Sequence, residues 1–397
     1  MSSTPPPETR PPFGPTLAAL TLGKATSNAA LRWMSPFLPT LSRAFDASVG
    51  TMTGIMGAAE LAGLSTTLTG GALDRGRHRS VFLGALGLVT LSSLVALLGT
   101  IWAFALTVVL LILGVSNLTV AGLALIGDRV DFSARGRAVG TYETSWALSL
   151  LAVAPFLAIL IDRFGWRAAY LALAGTTALG MLVVARWVPT PPGAGALRRR
   201  GGAASERAAP LPRAAWAALT SSAMISASGL SMFVISGAWL EERFALATGG
   251  LGAVATAIGA VELASSGSVA LAADRLGKRR AVAAGGLLLL CGAGIMWLAD
   301  RADGASGAVI AIAVIGLLLL IMGFEFGFVS SLSLMTEAAP EARGRAIAVG
   351  NAIGTVARAL ALASSGQLFE WFGVSGPLVF STVAMVGGLG CLILSRR

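Results

Sequence analysis

The stretch GAAELA at residues 57–62 returns almost unchanged as GAVELA at residues 259–264. Each copy lies inside a long apolar run, and each places one glutamate, Glu60 or Glu262, at the same position of that run. An ionisable residue in the middle of a membrane-spanning helix costs roughly 2.5–3.5 kcal/mol on insertion scales and is therefore rare. The recurrence of this residue in the same setting indicates that the chain contains an internal repeat.

The loops that follow these stretches repeat in the same order. DRGRHR at residues 74–79 corresponds to DRLGKR at 274–279, and RGRA at 135–138 corresponds to RGRA at 343–346. Parallel repeats are one of the recognised architectures of secondary transporters, whose substrate path runs between the halves. The repeat therefore predicts two similar halves with a path between them.

The composition requires lipid as the solvent. Of the 397 residues, 55% are hydrophobic and 12% are charged, whereas soluble domains carry about 25% charged residues. Cys291 and Cys391 lie inside apolar runs, and the single histidine, His78, lies in a charged loop. We therefore expect no disulfide framework, no metal site and no cofactor.

Twelve apolar runs are each long enough to cross a bilayer, which takes about 20 residues. They lie at roughly 16–38, 50–71, 80–99, 103–126, 138–161, 167–188, 214–239, 249–273, 281–299, 306–335, 346–369 and 374–394. The sequence therefore predicts an all-α integral membrane protein with twelve transmembrane helices in two parallel six-helix repeats. The predicted parts are a disordered cytoplasmic tail at 1–14, an N-terminal bundle at 15–188, a cytoplasmic linker at 189–213 and a C-terminal bundle at 214–397.

Basic residues alternate between the two ends of these helices. Of 29 Lys and Arg residues, 21 fall in the tails and even-numbered loops, 5 in the odd-numbered loops and the rest within the spans. Cytoplasmic loops carry the excess of Lys and Arg in membrane proteins. We therefore place both termini in the cytoplasm. The 27 Arg against 2 Lys are typical of GC-rich bacterial genomes, so the expected location is a bacterial plasma membrane.

The loop between the second and third helices, GGALDRGRHR at 70–79, resembles the Gly-x-x-x-Asp-Arg-x-Gly-Arg-Arg/Lys signature of the major facilitator superfamily. One residue is missing after Asp74 and Arg75. The later copy keeps the spacing but has Ala270 in place of the first Gly. DRFGWR at 162–167 is also similar to a family feature. The resemblance covers essentially the whole chain and implies the major facilitator fold and transport by alternating access.

Two departures from the family pattern bear on the direction of transport. Proton-coupled drug exporters of the family usually carry an Arg in helix four, where this chain has LLIL at 110–113. Family antiporters carry a Gly-Pro motif in helix five, where this chain has Pro155 preceded by Ala and followed by Ala158. The resemblance to drug and sugar efflux proteins thus favours export only slightly.

Seven residues inside the predicted spans are candidates for the substrate path or for proton coupling: Lys24, Asn28, Arg32, Glu60, Glu262, Glu325 and Arg358. At 1.5 Å per residue, Lys24 and Glu60 lie at similar depth, as do Glu325 and Arg358, which predicts two ion pairs. Glu262 then lacks a cation. Burial without a counter-charge favours a protonated carboxyl, so Glu262 is the first candidate proton carrier and Glu60 the second. The alternative is that these charges form structural pairs that fix helix packing.

Ten residues near the predicted cytoplasmic ends are gating candidates: Asp74, Arg75, Arg135, Arg137, Glu143, Asp274, Arg275, Arg343, Arg345 and Asn351. The resemblance implies that Asp74 lies near a helix N-terminus of the other half, where the helix dipole favours a carboxylate, and pairs with Arg135 or Arg137. Glu143 and Asn351 occupy equivalent shallow positions, which predicts a gating or helix-start role. The alternative for the arginines is topology and contact with anionic lipid alone.

The leading hypothesis is a secondary transporter that moves a small organic molecule by alternating access, coupled to protons, with export slightly favoured. The alternatives are a proton-coupled uptake symporter and a receptor or sensor that uses the same scaffold without transport. Enzyme and ATPase motifs are missing from the sequence, so we expect no enzyme. The expected partners are a small-molecule substrate, protons and the lipid bilayer, with no nucleic acid, and the expected state is a monomer. The charges suit both anionic and cationic substrates.

Overall fold

The computed structural model describes residues 13–189, 211–337 and 343–395, and every regular element in these ranges is helical. The predicted tail and linker fall largely outside these ranges, so the division into domains stays a prediction. The first half contains α1 (Gly14–Arg32), α2 (Leu38–Ala44), α3 (Val49–Glu60), a 3-10 turn (Leu61–Ser65), α4 (Thr66–Asp74), α5 (His78–Ala96), α6 (Ile101–Arg129), α7 (Phe132–Glu143), α8 (Ser145–Phe164) and α9 (Trp166–Trp187).

The second half is built from longer, uninterrupted helices. It contains α10 (Arg213–Phe244), α11 (Thr248–Leu276), α12 (Lys278–Arg301), α13 (Gly307–Glu337), α14 (Arg343–Phe372) and α15 (Ser375–Leu394). At 1.5 Å per residue, each is long enough to cross a bilayer.

Ten helices of the described chain are long and apolar enough to span a membrane as single units. The first two crossings are interrupted. In the first, α1 carries the polar residues Lys24, Asn28 and Arg32, and a turn containing Pro36 separates it from α2. In the second, α3 ends after Glu60 and the chain tightens into the 3-10 turn before α4. With these two interrupted crossings, the described part of the chain is all-α and consistent with the predicted twelve helices.

The connections alternate between two faces of the molecule. At one face, Thr16 Oγ1 donates to the Trp187 carbonyl at 3.2 Å, and Arg79 Nη2 donates to the Ala185 carbonyl at 2.7 Å. We call it the arginine-rich face, after the loops that reach it. At the opposite, arginine-poor face, Arg243 Nε donates to the Asp300 carbonyl at 2.9 Å. The alternation agrees with the order of basic and non-basic loops in the sequence.

The halves meet near the arginine-poor face along two seams, α3 against α14 and α8 against α11. Small residues allow this close approach. A Cβ atom on Gly57 would lie 2.5 Å from the Ala359 carbonyl oxygen, and one on Gly259 would lie 2.5 Å from the Leu151 nitrogen. Toward the arginine-rich face, α4 and α7 lie only against described elements of their own half. The halves therefore part there, and we call the resulting gap the central opening.

Candidate functional site

The centre of the molecule holds a buried ion pair between the halves. Arg32, the last residue of α1, places Nη2 2.6 Å from Oε1 of Glu262 on α11, and both side chains are at most 3% exposed. Arg32 Nη1 also donates to the Trp146 carbonyl at 2.8 Å. The guanidinium lies over the Trp146 and Phe233 rings, 4.3 and 5.3 Å from their centroids. These contacts fix Arg32 in one position.

A second ion pair joins the halves at the other seam. Arg358 Nε on α14 donates to Oε1 of Glu60 at 2.6 Å, and Arg358 Nη2 donates to the Thr355 hydroxyl at 3.1 Å. Glu60 and Glu262 are the matched carboxylates of the sequence repeat. Each therefore reaches across to an arginine of the opposite half, although the two arginines, on α1 and α14, do not occupy equivalent positions of the repeat.

The structure corrects the predicted pairing. Lys24 was expected to pair with Glu60, Glu325 with Arg358, and Glu262 with no cation. Depth along the membrane normal, counted from the sequence, did not identify the neighbours of these residues. In the structure α1 packs against α8 and not against α3, whereas α14 packs far more extensively on α3 than on α13. Lateral packing, which decides the partner, was the missing information.

Lys24 pairs within its own half. Its Nζ lies 2.6 Å from Oε2 of Glu143 and 4.3 Å from the centroid of the Tyr142 ring. One turn further along α1, Asn28 Nδ2 donates to the Ser145 hydroxyl at 3.3 Å. Glu143 thus lies beside α1, at the end of α7 where the helix is interrupted before α8. It belongs to a group of charged residues at the centre of the molecule that we call the central cluster: Lys24, Arg32, Glu60, Glu143, Glu262, Glu325 and Arg358.

Among the described residues, Glu325 is the carboxylate at the centre of the molecule that has no cation as partner. It is buried on α13, accepts a hydrogen bond from the Ser266 hydroxyl at 2.9 Å, and forms no ion pair with any residue of the described ranges. Ser266 lies one helical turn after Glu262 on α11, so the two carboxylates are near neighbours. The expectation that Glu262 is unpaired was wrong, and Glu325 holds that position.

The central cluster contains one more acid than base. Lys24, Arg32 and Arg358 face Glu143, Glu262 and Glu60, and Glu325 remains. A buried carboxylate without a cation is costly unless it is neutral. The cluster can therefore hold one proton at little cost. Among the described residues, no group of three or more His, Cys, Asp and Glu could hold a metal ion.

Sequence reasoning missed Ser266, Thr355 and Phe233. Ser266 and Thr355 carry a weak signal in the sequence, since each lies three or four residues from a charged candidate on the same helix and so shares its face. Phe233 carries none, because it belongs to a long apolar run and gains its role from contact with Arg32.

The other gating candidates of the first half, Asp74, Arg75, Arg135 and Arg137, lie at the arginine-rich face. Asp74 ends α4 and is exposed, and it makes no ion pair within the described chain. Arg135 Nη2 donates to the Gly127 carbonyl at 2.6 Å, so the expected pair with Asp74 is not formed in this conformation. Arg75 and Arg137 are exposed. Since the halves are parted at this face, contacts between Asp74 and the other half remain a prediction for the closed state.

The gating candidates of the second half are only partly described. The side chains of Asp274, Arg275 and Arg343 lie outside the described part of the structure. Arg345 is exposed in the first turn of α14, and Asn351 is exposed further along that helix. Asn351, Thr355 and Arg358 are spaced four and three residues apart, so they share one face of α14, and Arg358 on this face contacts Glu60.

The arginine-poor face holds contacts that the sequence did not indicate. The backbone N–H of Gly50, near the start of α3, donates to Oε1 of Glu370 on α14 at 2.6 Å. Arg43 forms an ion pair with Glu241 of the other half. The carboxylate of Glu370 at a helix N-terminus is favoured by the helix dipole. Together these contacts hold the halves closed at this face.

The profile described as Major Facilitator Superfamily matches residues 20–362. No curated protein sequence matches this chain. Among solved structures, the human organic anion transporter MFSD10 (TETRAN) is 19% identical, with a TM-score of 0.67 over 96% of this chain and 100% of that one. A D-xylose-proton symporter is 15% identical, with a TM-score of 0.72 over 97% of each chain. The xylose transporter XylE from E. coli, in a partially occluded inward-open conformation, is 14% identical, with a TM-score of 0.72 over 96% of each chain.

Proposed function

The chain belongs to the major facilitator superfamily, a family of membrane transport proteins, and from that premise we propose that it is a proton-coupled secondary transporter of a small organic solute. It works by alternating access and moves the solute outward in exchange for protons. The proposed location is a bacterial plasma membrane, with both termini and the arginine-rich face in the cytoplasm. The protein acts as a monomer and as a carrier, with no enzymatic step.

The observation that carries this proposal is the buried, unpaired carboxylate of Glu325 beside the Arg32–Glu262 pair. Glu325 is linked through Ser266 to the helix that carries Glu262, and Glu262 is bonded across the seam to Arg32. A proton on Glu325 removes a negative charge close to the contact that joins the halves. Protonation of Glu325 therefore changes the electrostatic energy of the Arg32–Glu262 contact, and with it the relative stability of the closed and open states of the seam. Coupling requires such a difference between the two states.

The ion pairs between the halves suit alternating access. When one face opens and the other closes, contacts at the seams must break and reform as a rigid rocking motion proceeds. The present conformation is closed at the arginine-poor face and open at the arginine-rich face. Under the proposed orientation a solute enters the central opening from the cytoplasm, as an exporter requires.

The proposal is tested with the full chain in proteoliposomes that carry an imposed pH gradient, using a panel of labelled solutes. The wild type should accumulate a solute against its gradient, on the side from which the protons come. Glu325→Gln should lose this uphill transport and keep energy-independent solute exchange. Glu242→Gln is the matched control, because Glu242 is exposed near the arginine-poor face.

Other results would contradict specific parts of the proposal. Solute and proton movement in the same direction would make the protein a symporter for uptake. Solute binding without flux would make it a sensor. Full uphill transport by Glu325→Gln would remove Glu325 from the coupling mechanism.

A further inference from the structure

The three central ion pairs differ in which partner meets solvent. Both members of the Arg32–Glu262 pair are buried. In the Lys24–Glu143 pair the lysine is 3% exposed and the carboxylate 47%. In the Glu60–Arg358 pair the carboxylate is 14% exposed and the guanidinium 33%. The two accessible pairs therefore present opposite charges, a carboxylate from one and a guanidinium from the other.

Each exposed member also has unused hydrogen-bonding capacity. Glu143 accepts from Lys24 through Oε2, and its Oε1 has no hydrogen bond to any described residue. Arg358 uses Nε for Glu60 and Nη2 for Thr355, and its Nη1 has no acceptor among the described residues. A free carboxylate oxygen and a free guanidinium nitrogen are strong, charge-assisted partners for a ligand.

These two groups belong to different sides of the central opening. Glu143 lies at the α7–α8 junction, and α8 forms one seam with α11. Arg358 lies on α14, which forms the other seam with α3. Next to Glu143, the half-buried Trp146 holds Arg32 against its ring, and beside Arg358, Asn351 is exposed on the same face of α14. A solute between the two seams therefore meets Glu143 and Trp146 on one side. On the other side it meets Arg358 and Asn351.

We infer that the transported solute is an organic zwitterion whose cationic group contacts Glu143 and whose anionic group contacts Arg358. This inference rests on the proposed function, because it takes the central opening as the substrate path. Each of the two pairs is neutral by itself, so a solute with a single charge would engage only one of the two free groups and would add a net charge to the pairs that it contacts, which is costly inside the membrane. A zwitterion engages both free groups and adds no net charge.

The test measures thermal stabilisation of the purified full chain by matched compounds. The probes are amino carboxylic acids of two to eight carbons, with the amine at the α or the terminal position. Their methyl esters keep only the cation, and their N-acetyl forms keep only the anion. At least one zwitterion should stabilise the protein. Its methyl ester and its N-acetyl form should bind about 10- to 100-fold more weakly, because each has lost one charge-assisted hydrogen bond.

Paired variants locate the two contacts without leaving a buried charge unpaired. Lys24→Met/Glu143→Gln should weaken the zwitterion to the level of its N-acetyl form and leave that form unaffected. Glu60→Gln/Arg358→Gln should weaken it to the level of its methyl ester and leave the ester unaffected. Equal stabilisation by all three forms, or stabilisation by none of the zwitterions, would overturn the inference. Proton-driven transport of some other solute by the same preparation would leave the proposed function standing.

Discussion

Nη2 of Arg32 lies 2.6 Å from Oε1 of Glu262, although the two residues are 230 positions apart and belong to different halves of the chain. Both side chains are at most 3% exposed. Glu60, the repeat counterpart of Glu262, pairs with Arg358 of the opposite half. The two halves are thus tied together by a reciprocal pair of ion bridges near the closed seams.

Removing one member of the buried bridge should destabilise the protein strongly. Glu262→Gln leaves the Arg32 guanidinium buried without a counter-charge, which costs about 3–5 kcal/mol. Arg32→Met/Glu262→Met removes both charges and should recover most of that loss. Unfolding of the purified protein, followed by tryptophan fluorescence, measures both variants. A Glu262→Gln protein as stable as the wild type would show that the bridge is not formed.

The exposed bridge should contribute less. Arg358 is one-third exposed, so solvent screens its interaction with Glu60. We expect Glu60→Gln to cost clearly less stability than Glu262→Gln under the same conditions. A double-mutant cycle with Arg358→Gln measures the coupling between the partners. Equal losses from the two carboxylate variants would contradict the difference in burial.

Closure at the arginine-poor face should depend on the absence of a side chain at Gly57. In Gly57→Val the new side chain meets the backbone of Ala359 and Ala363 on α14, so the seam must separate. Gly54→Val is the control, because a Cβ atom there meets nothing within 4 Å. The reporter is Thr53→Cys in a background without native cysteines, since Thr53 is fully buried at this seam.

Maleimide labelling of that cysteine should rise several-fold in the Gly57→Val protein and stay unchanged in the Gly54→Val protein. Similar labelling in both would show that the α3–α14 seam does not limit access.

The contact of Glu370 with the start of α3 should favour the closed state of the same face. Glu370→Gln removes the negative charge from the helix N-terminus, a loss of up to about 1 kcal/mol. The same cysteine reporter should then label up to about fivefold faster, because the closed-to-open ratio falls accordingly. Glu242→Gln, also near this face, should have no effect. Slower labelling of Glu370→Gln would show that the charge opposes closure.

The sequence identified the charged residues of the site correctly but not the contacts between them. Lys24, Arg32, Glu60, Glu262, Glu325 and Arg358 were all singled out because ionisable residues are conspicuous in apolar runs, and all of them lie in or beside the central cluster. Their partners were assigned wrongly. Glu143 was taken as shallow and peripheral, yet it is bonded to Lys24. Glu370 and Gly50 gave no signal, since a glutamate and a glycine near helix ends are common.

The sequence alone determined the class of protein and the alternation of the two faces. These follow from the composition, the lengths of the apolar runs and the repeat. All three can be read along the chain and interpreted from the thickness and polarity of the lipid bilayer. Only the tertiary structure decided which charge meets which, that Glu325 and not Glu262 lacks a cation, and which face is closed. Depth increases by a fixed rise per residue and can be counted, but the neighbour of a helix is set by side-chain packing from both halves at once.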